Sequence, residues 1–128
     1  MNNGADLVGL RILVVEDEFL LAMELEMMLR QRGCMVLGPA SSVGQALAML
    51  HGEPPDVALL DVNLKGERAT PVAAALQDRG VPFILITGYS ARQLHEPELL
   101  EAPRIDKPVS CRSLRRAVET AIAATPRS

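Results

Sequence analysis

Three short apolar runs punctuate the chain, and each ends in a polar residue. Ile12-Leu13-Val14-Val15 leads into Glu16-Asp17, Val57-Ala58-Leu59-Leu60 into Asp61, and Phe83-Ile84-Leu85-Ile86 into Thr87. Unbroken apolar runs of this length, as opposed to alternating ones, suit strands buried on both faces, as in a parallel sheet covered by helices. A weaker strand is expected at 35–37. A fifth is expected near 104–105, short and polar for the role.

Between the runs the apolar spacing turns helical. Leu20, Leu21, Met23, Leu25, Met28 and Leu29 recur at roughly helical intervals, and Gly33 offers a stop. Ser42 suits the cap of a helix containing Val43, Ala46, Leu47 and Leu50. Pro71 fits the first turn of a helix running to about Arg79, with Gly80 behind it. Ser110 suits the cap of a last helix with Leu114, Ala117, Val118, Ala121 and Ile122 inward. The segment 90–100 is the weakest helix, polar and interrupted by Pro97. The order is therefore βα repeated five times. Helical crossovers between parallel strands make it an open, doubly wound, five-stranded α/β sheet.

Size and composition narrow the function. At 128 residues the chain makes one domain, with 1–9 as a lead, 10–124 as the domain and 125–128 as a tail. Apolar residues are 48% and charged residues 23%, which excludes intrinsic disorder. Aromatics are 2% (Phe19, Phe83 and Tyr89), so the core is aliphatic and base stacking is not a binding mode. With 13 basic and 16 acidic residues the net charge is −3, and no nucleic-acid footprint stands out. No run is long enough to span a bilayer, and 1–9 is no secretory signal. Cys34 and Cys111 read as reduced thiols of a cytoplasmic protein, and two scattered histidines build no zinc site.

In open α/β sheets ligands bind beyond the carboxyl ends of the strands. That edge receives Glu16 and Asp17 from the first strand, Asp61 from the third, Thr87 from the fourth and Lys107 after the fifth. Three neighbouring carboxylates repel one another, and a cation relieves the repulsion. Mg²⁺ is commonly held by one or two carboxylates with phosphate oxygens. A carboxylate can also act as a nucleophile and become an aspartyl phosphate. A lysine and a hydroxyl can then contact the phosphoryl oxygens. Each part alone has a plainer reading. Glu16-Asp17 suits a helix N-terminus, Asp61 a turn, Thr87 a strand end and Lys107 a solvated surface. Their joint occurrence, in order, at one sheet edge favours metal-assisted phosphoryl acceptance.

Those residues resemble the receiver domain of two-component response regulators. The resemblance is carried by Ile12-Leu13-Val14-Val15-Glu16-Asp17-Glu18, Val57-Ala58-Leu59-Leu60-Asp61-Val62-Asn63-Leu64, Thr87-Gly88-Tyr89 and Asp106-Lys107-Pro108. It implies a flavodoxin-like (βα)5 fold with Asp61 as phosphoacceptor. Asp17 would ligate Mg²⁺ (or Mn²⁺) directly, Glu16 through water or weakly, and Asn63 through its backbone carbonyl. Lys107 would pair with the phosphoryl group and Thr87 would swing toward it. The donor would be a histidine kinase. The output would be phosphorylation-dependent binding of a downstream protein, or a phosphorelay or phosphate sink, with no nucleic acid and no membrane.

The sequence departs from the commonest pattern at several positions. Glu16 stands where aspartate is most frequent, and Lys65 where many receivers have proline. Arg104 holds the position, three residues before the lysine, that usually carries the switch tyrosine or phenylalanine. Leu85-Ile86-Thr87-Gly88-Tyr89 resembles instead the subgroup whose motif reads Phe-Ala-Thr-Gly-X-Tyr (FATGUY-like). Its members are often single-domain receivers paired with HWE-type kinases. Tyr89 is either a stand-in for the missing switch aromatic or an ordinary loop aromatic. Other classes fit less well. A haloacid-dehalogenase-like phosphatase places its nucleophile after the first strand and needs a second aspartate where this chain has Asn63. A dinucleotide-binding module needs a Gly-X-Gly-X-X-Gly that is absent. The rival within the fold is a degenerate receiver acting as a constitutive protein-binding module.

Overall fold

The computed structural model describes residues 7–64, 66–88 and 102–124. Five parallel strands form the main sheet: β1 (Arg11–Val15), β2 (Met35–Ala40), β3 (Val57–Asp61), β6 (Phe83–Thr87) and β7 (Arg104–Asp106). Their order is β2-β1-β3-β6-β7, so the chain winds outward in both directions from β1. Four described helices accompany them: α1 (Phe19–Gln31), α2 (Val43–Met49), α3 (Thr70–Asp78) and α4 (Cys111–Ala124). A small antiparallel hairpin, β4 (Asn63–Leu64) with β5 (Glu67–Arg68), follows β3. The weak helix expected over 90–100 lies outside the described residues, as do Lys65 and Tyr89.

The three apolar runs are buried throughout because each strand feeds two cores at once. Successive side chains point to opposite faces of the sheet. Leu13, Val15, Ala58, Leu60 and Leu85 therefore join Ala46 and Leu50 near α2 and Val72, Ala73 and Leu76 of α3. Ile12, Val14, Leu59, Ile84 and Ile86 join Leu25 and Leu29 of α1 and Leu114, Val118 and Ala121 of α4. Fully burying each valine, leucine or isoleucine among them contributes roughly 1.5–3 kcal/mol.

The helix ends follow local chemistry. Ser42 Oγ accepts from the Gln45 amide at 3.1 Å, and Ser110 Oγ from the Ser113 amide at 3.1 Å. Pro71 sits in the first turn of α3. The apolar face expected of α1 needs correction. Ala22, Leu25 and Leu29 are buried, but Leu20 is 74% and Met23 45% exposed. With Phe19 and Met27 they form an outward apolar stripe.

Strand β2 runs three residues past the expected 35–37. Its register against β1 shifts between Leu13 and Val15, where Gly38 adopts φ +94°. A Cβ there would lie 2.7 Å from the Ala40 amide nitrogen and 2.9 Å from the Val14 carbonyl, so glycine is required. The kink brings the Ala40 carbonyl to the Glu16 amide at 2.9 Å, which fixes the chain where it leaves β1.

Candidate functional site

Parallel strands in register deliver their ends to one edge. Val15 pairs with Leu60, Asp61 with Ile86 and Thr87 with Asp106, so the residues at or just after these ends gather there. Glu16, Asp61 and Thr87 are the buried polar residues of the described structure, at 2%, 6% and 2% exposure. Glu16, Asp17 and Asp61 each present a carboxylate oxygen, and these oxygens lie within 4.8 Å of one another.

The electrostatics are those of a crowded acidic pocket. Burial, then the charge of Asp61 and a hydrogen bond shared with it, raise the Glu16 pKa to about 8. The Glu18 amide, which donates to Glu16 Oε2 at 3.1 Å, and the charge of Lys107 act the other way. Glu16 Oε1 is buried with no hydrogen-bond partner among the described residues when the carboxylate is ionised. Such an atom is costly unless a shared proton or a cation satisfies it. The donor set is all oxygen and thus suits a hard divalent cation. The residues fit one.

Lys107 reaches over this pocket. Its Nζ lies 3.6 Å from Glu18 Oε2 and 3.9 Å from both Glu16 Oε2 and Asp61 Oδ2. These are ion-pair distances, longer than hydrogen bonds, so the ammonium is shared among three carboxylates and committed to none. Its backbone is better fixed, because the Lys107 amide donates to the Thr87 carbonyl at 2.8 Å. The Thr87 hydroxyl donates to Asp106 Oδ1 at 3.2 Å.

Glu16, Asp17, Asp61, Thr87 and Lys107 thus come together at one sheet edge. Asn63 lies in β4, two residues beyond Asp61. Glu18 is the N-cap of α1 and makes no side-chain cap bond, while Glu16 Oε2 accepts the Glu18 amide, so Glu16 both anchors the start of α1 and faces the acidic pocket. Arg104 is exposed on β7, opposite Leu85. Two neighbours were missed as participants. Glu18 stands beside Lys107, and Asp106 holds the Thr87 hydroxyl. Their signal was position, since each directly adjoins a residue already singled out at a strand end.

Among the described residues no helix is long and apolar enough to cross a membrane. The sequence model of the response regulator receiver domain matches residues 12–119. The transcriptional regulatory protein PdtaR of Mycobacterium tuberculosis is 29% identical over 115 residues, covering 88% of this chain and 56% of that protein. The chain spans about half the length of such curated relatives. The solution structure of SdrG from Sphingomonas melonis Fr1 superposes with a TM-score of 0.79 at 36% identity, covering 97% of this chain and 100% of that one. The receiver domain of Erythrobacter litoralis PhyR superposes with a TM-score of 0.83 at 26% identity, covering 94% and 95%. Receiver domains are in general phosphoacceptors and not enzymes, and the fold, the acidic edge and these likenesses agree: the chain belongs to the response regulator receiver domain family.

Proposed function

We propose that Asp61 accepts a phosphoryl group from the phosphohistidine of a histidine kinase, one of HWE type. The observation that carries the reading is the placement of the Asp61 carboxylate between the Glu16–Asp17 pair and the Lys107 ammonium. An Asp61 carboxylate oxygen attacks phosphorus as the P–N bond to the histidine breaks. The bonding pair stays on the imidazole nitrogen, which is protonated by water. Asp17 and Asp61 would hold Mg²⁺ (or Mn²⁺), with Glu16 and the Asn63 backbone carbonyl contributing. A cation there would supply charge neutralisation for the carboxylates and the phosphoryl oxygens. Lys107 pairs with one phosphoryl oxygen, and Thr87 turns from Asp106 to donate to another.

Residues 10–124 form the working unit, with 1–9 and 125–128 as lead and tail. The protein is cytoplasmic and signals by protein binding, or serves as a phosphorelay intermediate or phosphate sink. Chemical self-phosphorylation by small donors, and self-dephosphorylation, are within the reach of this site.

The test is intact-mass spectrometry after incubation with acetyl phosphate and Mg²⁺. One added phosphoryl group is expected, lost in Asp61→Asn and without metal. No adduct, together with failure to bind beryllofluoride, overturns the reading and leaves a constitutive binding module.

A further inference from the structure

We infer that a second copy of this chain packs antiparallel against the outward face of α1, in a weak symmetric pair. The inference goes beyond the phosphoacceptor reading and does not rest on it. Phe19, Leu20, Met23 and Met27 are 73%, 74%, 45% and 56% exposed, although all four are large and apolar. At about 3.6 residues per turn they fall on one side of α1, away from the buried Ala22, Leu25 and Leu29. They form one continuous stripe.

Side chains exposed to this degree add up to roughly 500 Å² of apolar surface, within the range of the largest, often functional, patches on monomers. Two such patches face to face bury on the order of 1,000 Å² in total, enough for a concentration-dependent association and too little for an obligate one. Methionine suits such a face, because its flexible side chain adapts to a partner and its sulfur packs well against an aromatic ring such as that of Phe19.

The two ends of the helix name the occupant. Asp17 and Glu18 precede its first turn, Arg30 lies in its last, and Arg32 is its C-cap. Helix α1 is thus acidic at its start and basic at its finish, with the apolar stripe between. A second α1 laid antiparallel, with the twofold axis at Met23, sets Phe19 opposite the other copy's Met27. It also brings each acidic end near the other copy's basic end. Such an interface is self-complementary and closes as a dimer. The helix dipoles oppose one another as well. A parallel pair would set acid against acid. Arg30 already pairs with Glu26 at 2.9 Å, and Glu18 with Lys107 at 3.6 Å. Arg30 and Glu18 are both exposed, so these pairs rearrange at little cost. Glu24, exposed and one residue from the axis, nears its own copy; solvent screens that repulsion, and it keeps the pair weak. The pair covers the helix that leaves the acidic pocket, so it and a protein donor exclude one another.

The test uses the unphosphorylated, metal-free full chain, so that it can fail independently of the Asp61 chemistry. Sedimentation velocity from micromolar to millimolar concentration is expected to show the monomer passing toward a dimer. L20E/M27E moves the midpoint at least about tenfold higher in concentration. M49E, at a similarly exposed methionine on α2 across the sheet, leaves it unchanged. In a C111S background, which removes the exposed thiol, M23C forms a disulfide-linked dimer under copper phenanthroline, and M49C stays monomeric. All the substituted side chains are exposed, and thermal melts confirm that the variants fold. A monomer at every concentration, an association that L20E/M27E leaves unchanged, or cross-linking through position 49 as fast as through position 23 overturns the inference.

Discussion

Thr87 and Asp106 lie opposite one another on β6 and β7, and the threonine hydroxyl donates to Asp106 Oδ1 at 3.2 Å. Asp106 also lines the surface groove between β7 and α4. One hydrogen bond therefore links the end of β6, at the acidic pocket, to the edge strand β7. A hydroxyl that turns toward a phosphoryl oxygen must leave this carboxylate. Thr87→Val is expected to keep metal-dependent acceptance of phosphate at Asp61. It should lose most of the amide-shift response of 104–106 and 112–117 to beryllofluoride. Equal responses in mutant and wild type would show that Thr87 is not the reporter.

Glu16 makes the metal-free protein pH-sensitive in a definite direction. Its pKa rises from 4.5 to about 8 on folding, so the folded state binds the proton more tightly than the unfolded state. The stabilisation this gives is full below about pH 4.5. It is lost as pH rises through about 8, the folded value. Glu16→Gln is expected to flatten that slope and to raise stability by about 1–3 kcal/mol at pH 8 without metal, read by urea unfolding across pH. The reverse holds with Mg²⁺. Its affinity for the wild type should increase with pH between about 6 and 8, with proton release visible by calorimetry in buffers of different ionisation enthalpy.

Lys107 has two opposed effects, because the carboxylates it faces are also the cation's donors. Lys107→Ala should strengthen Mg²⁺ binding about three- to tenfold by removing a competing positive charge. It should also slow phosphorylation by acetyl phosphate. Weaker Mg²⁺ binding in the mutant would mean that the ammonium organises the pocket instead of competing for it.

The exposed stripe of Phe19, Leu20, Met23 and Met27 begins two residues after Asp17, on the helix that leaves the pocket. A histidine donor must rest beside that edge to reach Asp61. Leu20→Glu and Met23→Glu are expected to cut transfer from the cognate kinase about tenfold or more. Both side chains face outward, so phosphorylation by acetyl phosphate and the melting temperature should change little. Loss of both reactions together would place the effect in folding.

Much of this could be read from residue order. The strands β1, β3 and β6 are unbroken apolar runs, and a fully buried strand has few other ways to look. The pocket was legible for the same reason, since parallel strands must end together. Other features were hidden by competing effects. The outward Leu20 and Met23 share helical spacing with the core residues, and periodicity alone cannot tell which apolar residues a surface keeps. The continuation of β2 through Gly38-Pro39 reads as a break, because neither residue favours a strand. Pairing with β1 alone, at an edge, tolerates both. The hairpin of β4 and β5 has two residues per strand, too few to leave a pattern. The positions of Glu18 and Asp106 became meaningful only with distances.

The strands that frame the pocket are unequal. Strand β3 is central and buried at all five positions, while β7 is a three-residue edge with only Ile105 buried. Regions with few buried contacts open at lower free energy. The acidic wall, on β1 and β3, thus rests on the most deeply packed strands, while the wall that bears Lys107 rests on the most lightly anchored one. Unequal anchorage of this kind concentrates local opening on the lysine side and leaves the carboxylates in place.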